Sequence, residues 1–174
     1  KSLQTFLIEE FDPFLLMIKE KILKIDSYND YTSTKSEAVR ILSPSDFGFH
    51  NIIISKKNKL NFIDFEYFGW DHPIKLLVDF ALHPGFTLGL KERQAWIDGS
   101  LNSYARGLEK DLDLLWPVFG LIWVLILLNG YLMEQLETKE NKKNLTKQLE
   151  KAELLLQGIK RDCNATFREI NISA

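Results

Sequence analysis

The chain has 174 residues, a formal net charge of -2 and 45% hydrophobic residues, which suits one domain (1–174) with a proper core. Its 24 acidic residues against 22 basic ones exclude a nucleic-acid binder held by bulk charge. A single cysteine, Cys163, excludes a disulfide framework within the chain and a cysteine-rich zinc site, and three histidines leave little for a histidine metal site.

The first stretch reads as helix. Leu3, Phe6, Leu7, Phe14, Leu15, Ile18 and Ile22 fall close to one helical stripe, and Asp12 before Pro13 has the look of a cap and first-turn proline that would divide it in two. Asp26 to Glu37 is polar and reads as a loop. The convincing β region is Ile41 to Glu66. Within it, Asn51 to Ser55 and Leu60 to Phe65 are β-rich runs joined by a turn containing Asn58, a hairpin signal. Alternation along the second run puts Leu60, Phe62 and Asp64 on one face. A charge in so apolar a strand calls for a partner or a cation.

The remainder reads as helices: one from Pro73 through Leu82, one over Lys91 to Arg106, one over Leu112 to Glu137, and one over Asn141 to Cys163. Between Leu115 and Leu128 the third is apolar nearly all round, which predicts burial on most sides; its most apolar run is Leu114 to Leu128. The run is shorter than the roughly eighteen apolar residues of a membrane span, so the expectation is a core helix of a soluble, cytoplasmic chain with no membrane partner and no signal peptide. The last helix carries Leu145, Leu149, Ala152, Leu156, Ile159 and Cys163 at spacings of four and three. Packing within its own bundle is the first reading, and a coiled-coil homodimer the second. The fold class expected is therefore α+β, mainly α with a small β-hairpin.

Ser43 to Asn51, reading SPSDFGFHN, followed by Phe62 to Trp70, reading FIDFEYFGW, carries the chemistry. Asp46 and Asn51 stand five apart and Asp64 lies one hairpin later. Phosphoryl transfer needs such a set: one carboxylate to orient a hydroxyl and take its proton, and a neutral amide oxygen with a second carboxylate to hold Mg²⁺ against a triphosphate. A hairpin that folds back returns all three to one place. Glu66 either faces that place or sits in solvent at the strand end. His50, His72 and His83 read as ordinary loop or core histidines, and Asn129 as a polar group bonded to a neighbouring helix.

These motifs resemble the aminoglycoside phosphotransferase and choline kinase family, which has the protein-kinase-like fold. Asp46 matches the family's catalytic Asp, Asn51 its metal-binding Asn and Asp64 its second metal-binding Asp, and Ile63 to Pro73 follows the pattern after the hairpin. Asp79 matches a structural Asp that bonds the catalytic-loop backbone. The match covers about Leu42 to Leu82. The chain departs from the pattern at Pro44, where the family has His, and at His50, where it has Gly. Neither a Gly-rich loop nor a strand lysine stands in the roughly forty residues before the loop. The resemblance thus implies the C-terminal catalytic lobe of a small-molecule kinase, with the N-terminal ATP-covering lobe missing. Its cofactors would be Mg²⁺ and ATP, and its partner a sugar, choline-like or aminoglycoside-like hydroxyl acceptor. Glu109, Asp111 and Asp113 are candidates to meet a cationic acceptor, or else a helix-capping acidic cluster. The other reading is a pseudokinase or helical interaction scaffold without catalysis.

Overall fold

The N-terminal apolar stripe folds as helix without the break expected at Asp12. The computed structural model describes residues 2–24, 40–132 and 139–172. Ser2 caps α1 (Leu3–Phe6) by accepting from the Thr5 N–H, and a π turn (Leu7–Phe11) leads directly into α2 (Asp12–Leu23). Asp12 has helical dihedrals, and its N–H reaches back five residues to the Leu7 carbonyl. Pro13 lacks an N–H, and in a regular α-helix its ring collides with the carbonyl four residues earlier. The widened turn absorbs both problems, so the proline shifts the register instead of ending the helix. The loop expected over Asp26 to Glu37 lies outside the described residues.

By internal contacts the chain divides into two units, Lys1–Asn29 with Asp113–Ala174, and Asp30–Leu112. In the first, Phe6, Phe11, Phe14 and Ile18 are buried. So are Leu149, Ala152, Leu156, Ile159 and Cys163 of the long C-terminal helix (Lys139–Ile172), which is the stripe read from spacing. Lys160 ties the two helices together. Its ammonium donates to the Glu10 carbonyl at 3.2 Å and lies 5.6 Å from the centre of the Phe14 ring. Burial pushes the Cys163 thiol up to about 11, so it packs as a small apolar side chain rather than a nucleophile.

The helix Glu109–Leu128 continues as a 3-10 turn (Asn129–Leu132), and its flanks change two expectations. Taken whole, Glu109–Leu132 is long and apolar enough to cross a membrane; counting only Leu114 to Leu128 had made it short. Nor is it buried on most sides. About a third of its apolar window is buried (33%), and Ile122, Leu125 and Ile126 form an exposed apolar stripe. Asn129 is exposed at the end of that stripe, and among the described residues it bonds no neighbouring helix.

Among the described residues the β structure lies in the second unit, and it is not one hairpin but two antiparallel pairs. In chain order the strands are β1 (Ile41–Ser43), β2 (Ile52–Ile54), β3 (Leu60–Phe62) and β4 (Gly69–Asp71). β2 pairs with β3 in the expected hairpin, Ile52 opposite Phe62. Asn58 supplies the left-handed residue its turn needs (φ 56°). β1 pairs with β4, Leu42 opposite Trp70, a pairing with no signal in the glycine- and aspartate-rich Gly69–Asp71 segment. The strands are three residues each, so Asp64 falls beyond β3 and is exposed. Its charge is met by water, not buried in a sheet.

α3 (Pro73–Ala81) starts at the proline read from sequence, capped by His72, whose Nδ1 accepts from the Ile74 N–H. Ile74, Leu77 and Val78 are fully buried, each worth roughly 1.5–3 kcal/mol of apolar transfer. α4 (Leu90–Asn102) packs on α3 through Trp96, whose indole N–H donates to the Leu77 carbonyl at 2.9 Å. It ends four residues earlier than expected from its pattern, and the chain then turns through Gly107 at φ 79°. Phe80 sits at the centre of this unit, its ring 4.3 Å from Trp96, 5.4 Å from Phe47 and from Phe49, and 5.1 Å from Phe86. Phe80→Ala is therefore expected to lower stability by roughly 3–5 kcal/mol, read from urea unfolding, and to speed amide exchange over residues 44–51.

Candidate functional site

The segment between β1 and β2 is shaped by a strained turn and an aromatic anchor. The Asp46 N–H donates to the Pro44 carbonyl at 2.8 Å, closing a γ-turn about Ser45, whose φ is 64°. Left-handed backbone at a residue with a Cβ costs on the order of 1–3 kcal/mol and persists where surroundings enforce it. Two sets of contacts do so here. Ser43, fully buried, accepts the Ser45 N–H on its hydroxyl at 3.1 Å, and the Ser45 hydroxyl donates to Asp71 at 3.1 Å. On the far side of Asp46, the Phe47 ring stacks on Trp96 (6.0 Å) and Phe62 (5.7 Å). Asp46 is thus presented, about a third exposed (37%), from a loop held at both neighbours.

Asn51 ends the following 3-10 turn (Phe49–Asn51) and is buried. Its side-chain amide donates to the Asp46 carbonyl at 2.8 Å and, more weakly, to the Asp46 carboxylate at 3.4 Å. With the NH₂ group spent on the loop, the amide oxygen is the end left available as a neutral ligand. The Ile63 N–H donates to the Asn51 carbonyl at 3.0 Å, which extends the β2–β3 ladder by one bond and sets Asp64 one residue from the partner of Asn51. Asp64 has φ 62°, a second strained position at the same end of the hairpin. The Tyr67 hydroxyl is held above its ordinary value, first by its hydrogen bond to Glu66 and then by negative charge that includes Asp64 and Asp46. The carboxylates of Asp46, Asp64 and Glu66 therefore act on one neighbourhood. Glu66 is exposed and engaged with Tyr67.

Asp79 is buried in α3, and among the described residues its partner is Lys75 at 2.8 Å, not the loop backbone. The link to the loop is indirect: the Lys75 ammonium also donates to the Ser45 hydroxyl at 3.1 Å and pairs with Asp71 at 3.2 Å. Burial works against the charge of Lys75, yet Asp79 and Asp71 outweigh it and hold the ammonium above its ordinary value. Glu109 and Asp111 lie in the first turn of the helix Glu109–Leu128, where its dipole favours negative charge.

Two histidines stand against the carboxylate of Asp46. His50 Nε2 lies 3.2 Å from Oδ2 and His83 Nε2 lies 3.7 Å from Oδ1, with the two rings stacked 4.8 Å apart. His83 Nδ1 accepts from the Gly85 N–H at 3.0 Å, which leaves the proton of the neutral ring on Nε2, toward Asp46. Burial first, and then His50, hold His83 below the ordinary histidine value against the pull of Asp46. The i, i+4 spacing of Asp46 and His50 was a readable signal for half of this cluster. Nothing in the sequence pointed to His83, which arrives from the far end of α3.

No protein-family model matches this chain, and neither a curated protein nor a solved structure matches it.

Lys75→Met should destabilise the protein by about 2–3 kcal/mol in urea unfolding, because it strands buried Asp79 beside Asp71; partial exposure of the lysine (27%) keeps the loss below that of a fully buried pair. His72 and His83 are both held below their ordinary value by burial. The unfolded chain therefore takes up protons first as pH falls. Stability should be fully present above about pH 6.5 and decline from there toward the folded-state values, with a smaller decline in His83→Gln.

Proposed function

We propose that this chain is the catalytic lobe of an ATP-dependent small-molecule kinase, of the C-terminal-lobe type in the protein-kinase-like fold. The observation that carries the proposal is the junction of Asp46, Asn51 and Asp64. A carboxylate on a strained loop lies beside a buried amide whose oxygen is unspent, and the exit of the hairpin, with its second exposed carboxylate, is bonded to that amide's own backbone.

In this proposal Asp46 orients the acceptor hydroxyl and takes its proton as the oxygen–phosphorus bond forms and the bond to the departing ADP breaks. Asn51 and Asp64 would hold Mg²⁺, which neutralises charge on the triphosphate. The donor set suits a hard cation by type: one neutral oxygen, from buried Asn51, and one exposed carboxylate, from Asp64. The surface around the hairpin supports a missing ATP-covering lobe. Ile53, Ile54, Leu60, Phe65 and Trp70 are each half or more exposed, and they are large apolar side chains that a covering lobe would take out of water. A hydroxyl of a sugar, choline-like or aminoglycoside-like molecule is the acceptor class.

The test uses the protein joined to any preceding lobe in its native polypeptide. Asp46→Asn should cut phosphoryl transfer by roughly 10²–10⁴-fold while Mg²⁺-ATP still binds, and Asp64→Asn should weaken Mg²⁺ binding. Full activity in Asp46→Asn would sink the assignment and leave the non-catalytic scaffold.

A further inference from the structure

We propose that Asp46, His50 and His83 form a binding site for a divalent transition metal of the zinc class, which uses none of the Mg²⁺ ligands named above but shares Asp46 with the kinase reading, so that metal bound here withdraws Asp46 from the role of base. The ligand atoms of the three side chains lie within 4.8 Å of one another. In a tetrahedral Zn²⁺ site, with bonds of about 2.0–2.1 Å, neighbouring ligand atoms stand roughly 3.3 Å apart. Asp46 Oδ2 already meets that spacing with His50 (3.2 Å), and the other oxygen, Oδ1, nearly meets it with His83 (3.7 Å). Closing the set from 4.8 Å to that spacing needs a change of up to about 1.5 Å, within reach of a small rotation of His50, which is nearly half exposed.

Of the two rings, His83 is the one held by its surroundings. His83 is sandwiched between His50 and the Phe86 ring, which it parallels within 8° at 4.8 Å. Each imidazole also folds over a glycine that leaves room for it. A Cβ on Gly48 would lie 2.7 Å from the His50 ring, and one on Gly85 would lie 2.8 Å from the His83 ring. Ligation through Nε2 moves the His83 proton to Nδ1. The hydrogen bond from Gly85 N–H is then given up to water, which an exposed turn allows. Two imidazole nitrogens and one carboxylate select a borderline ion such as Zn²⁺ over Mg²⁺, and the exposure of Asp46 and His50 leaves the fourth position open to water.

Zn²⁺ titrated into the protein by calorimetry near neutral pH tests this, with Co²⁺ as a second, spectroscopic probe. The expected result is one saturable site, weakened at least about tenfold by His50→Ala and by His83→Gln, and not displaced by excess Mg²⁺. Gly48→Ala keeps every ligand but pushes the His50 ring away, so it too should weaken binding. Far-UV circular dichroism confirms that each variant is folded, and His50→Ala alters an exposed position in case His83→Gln does not fold. No saturable Zn²⁺ binding, or binding unchanged in the double variant His50→Ala/His83→Gln, would overturn the proposal. Neither titration reads phosphoryl transfer, so failure of the kinase reading leaves this test intact.

Discussion

Packing of Phe47 against Phe62, Phe80 and Trp96 is the contact on which the second unit depends. Phe47 lies between Asp46 and a buried glycine, so its ring fixes the loop to β3, α3 and α4 at once. Offset aromatic pairs of this kind contribute roughly 0.5–1.5 kcal/mol beyond their buried area. Several of them meeting at one ring outweigh the cost of a γ-turn with left-handed backbone. Without that anchor Ser45 would keep only its contacts with Ser43, Asp71 and Lys75, and Asp46 would be held on one side alone.

The second constraint is electrostatic. Lys75 is the cation that Asp71, Asp79 and the Ser45 hydroxyl share. It sits in the first turn of α3, so the start of the helix binds the end of β4 to the start of the loop. A buried carboxylate such as Asp79 is tolerated because that ammonium is fixed beside it. The aromatic cluster sets where the loop goes, and the lysine sets how β1 and β4 close behind it.

Helix positions and faces were legible wherever a period ran long enough. Pro73 marked its helix, and the Leu149-to-Cys163 spacings named the buried stripe residue by residue. The Ile52–Ile54 and Leu60–Phe62 hairpin was legible through its β-branched runs and Asn58. Strands of three residues were not, because alternation over three positions carries almost no information: β4 was missed, and Asp64 was drawn into a strand that ends two residues before it. The turn at Leu7–Phe11 was hidden because a proline reads as a stop, although a π turn can carry it. Within the site, Asp46, Asn51 and Asp64 were visible as a spaced motif. Lys75 and His83 were not, since their roles come from tertiary contacts with residues 30 or more positions away.

The β2–β3 hairpin has another consequence. It is a two-stranded ribbon with both outer edges unpaired among the described residues, and Ile53, Ile54 and Leu60 are exposed on it. Such an edge is a template for strand addition by another chain. Lys56, Lys57 and Lys59, all exposed in the turn, are the charges nearest to those edges, and mutual repulsion between copies is what they provide. Whatever else the lysines of that turn do, they act as gatekeepers against self-assembly, and the colloidal behaviour of the polypeptide should follow ionic strength through them.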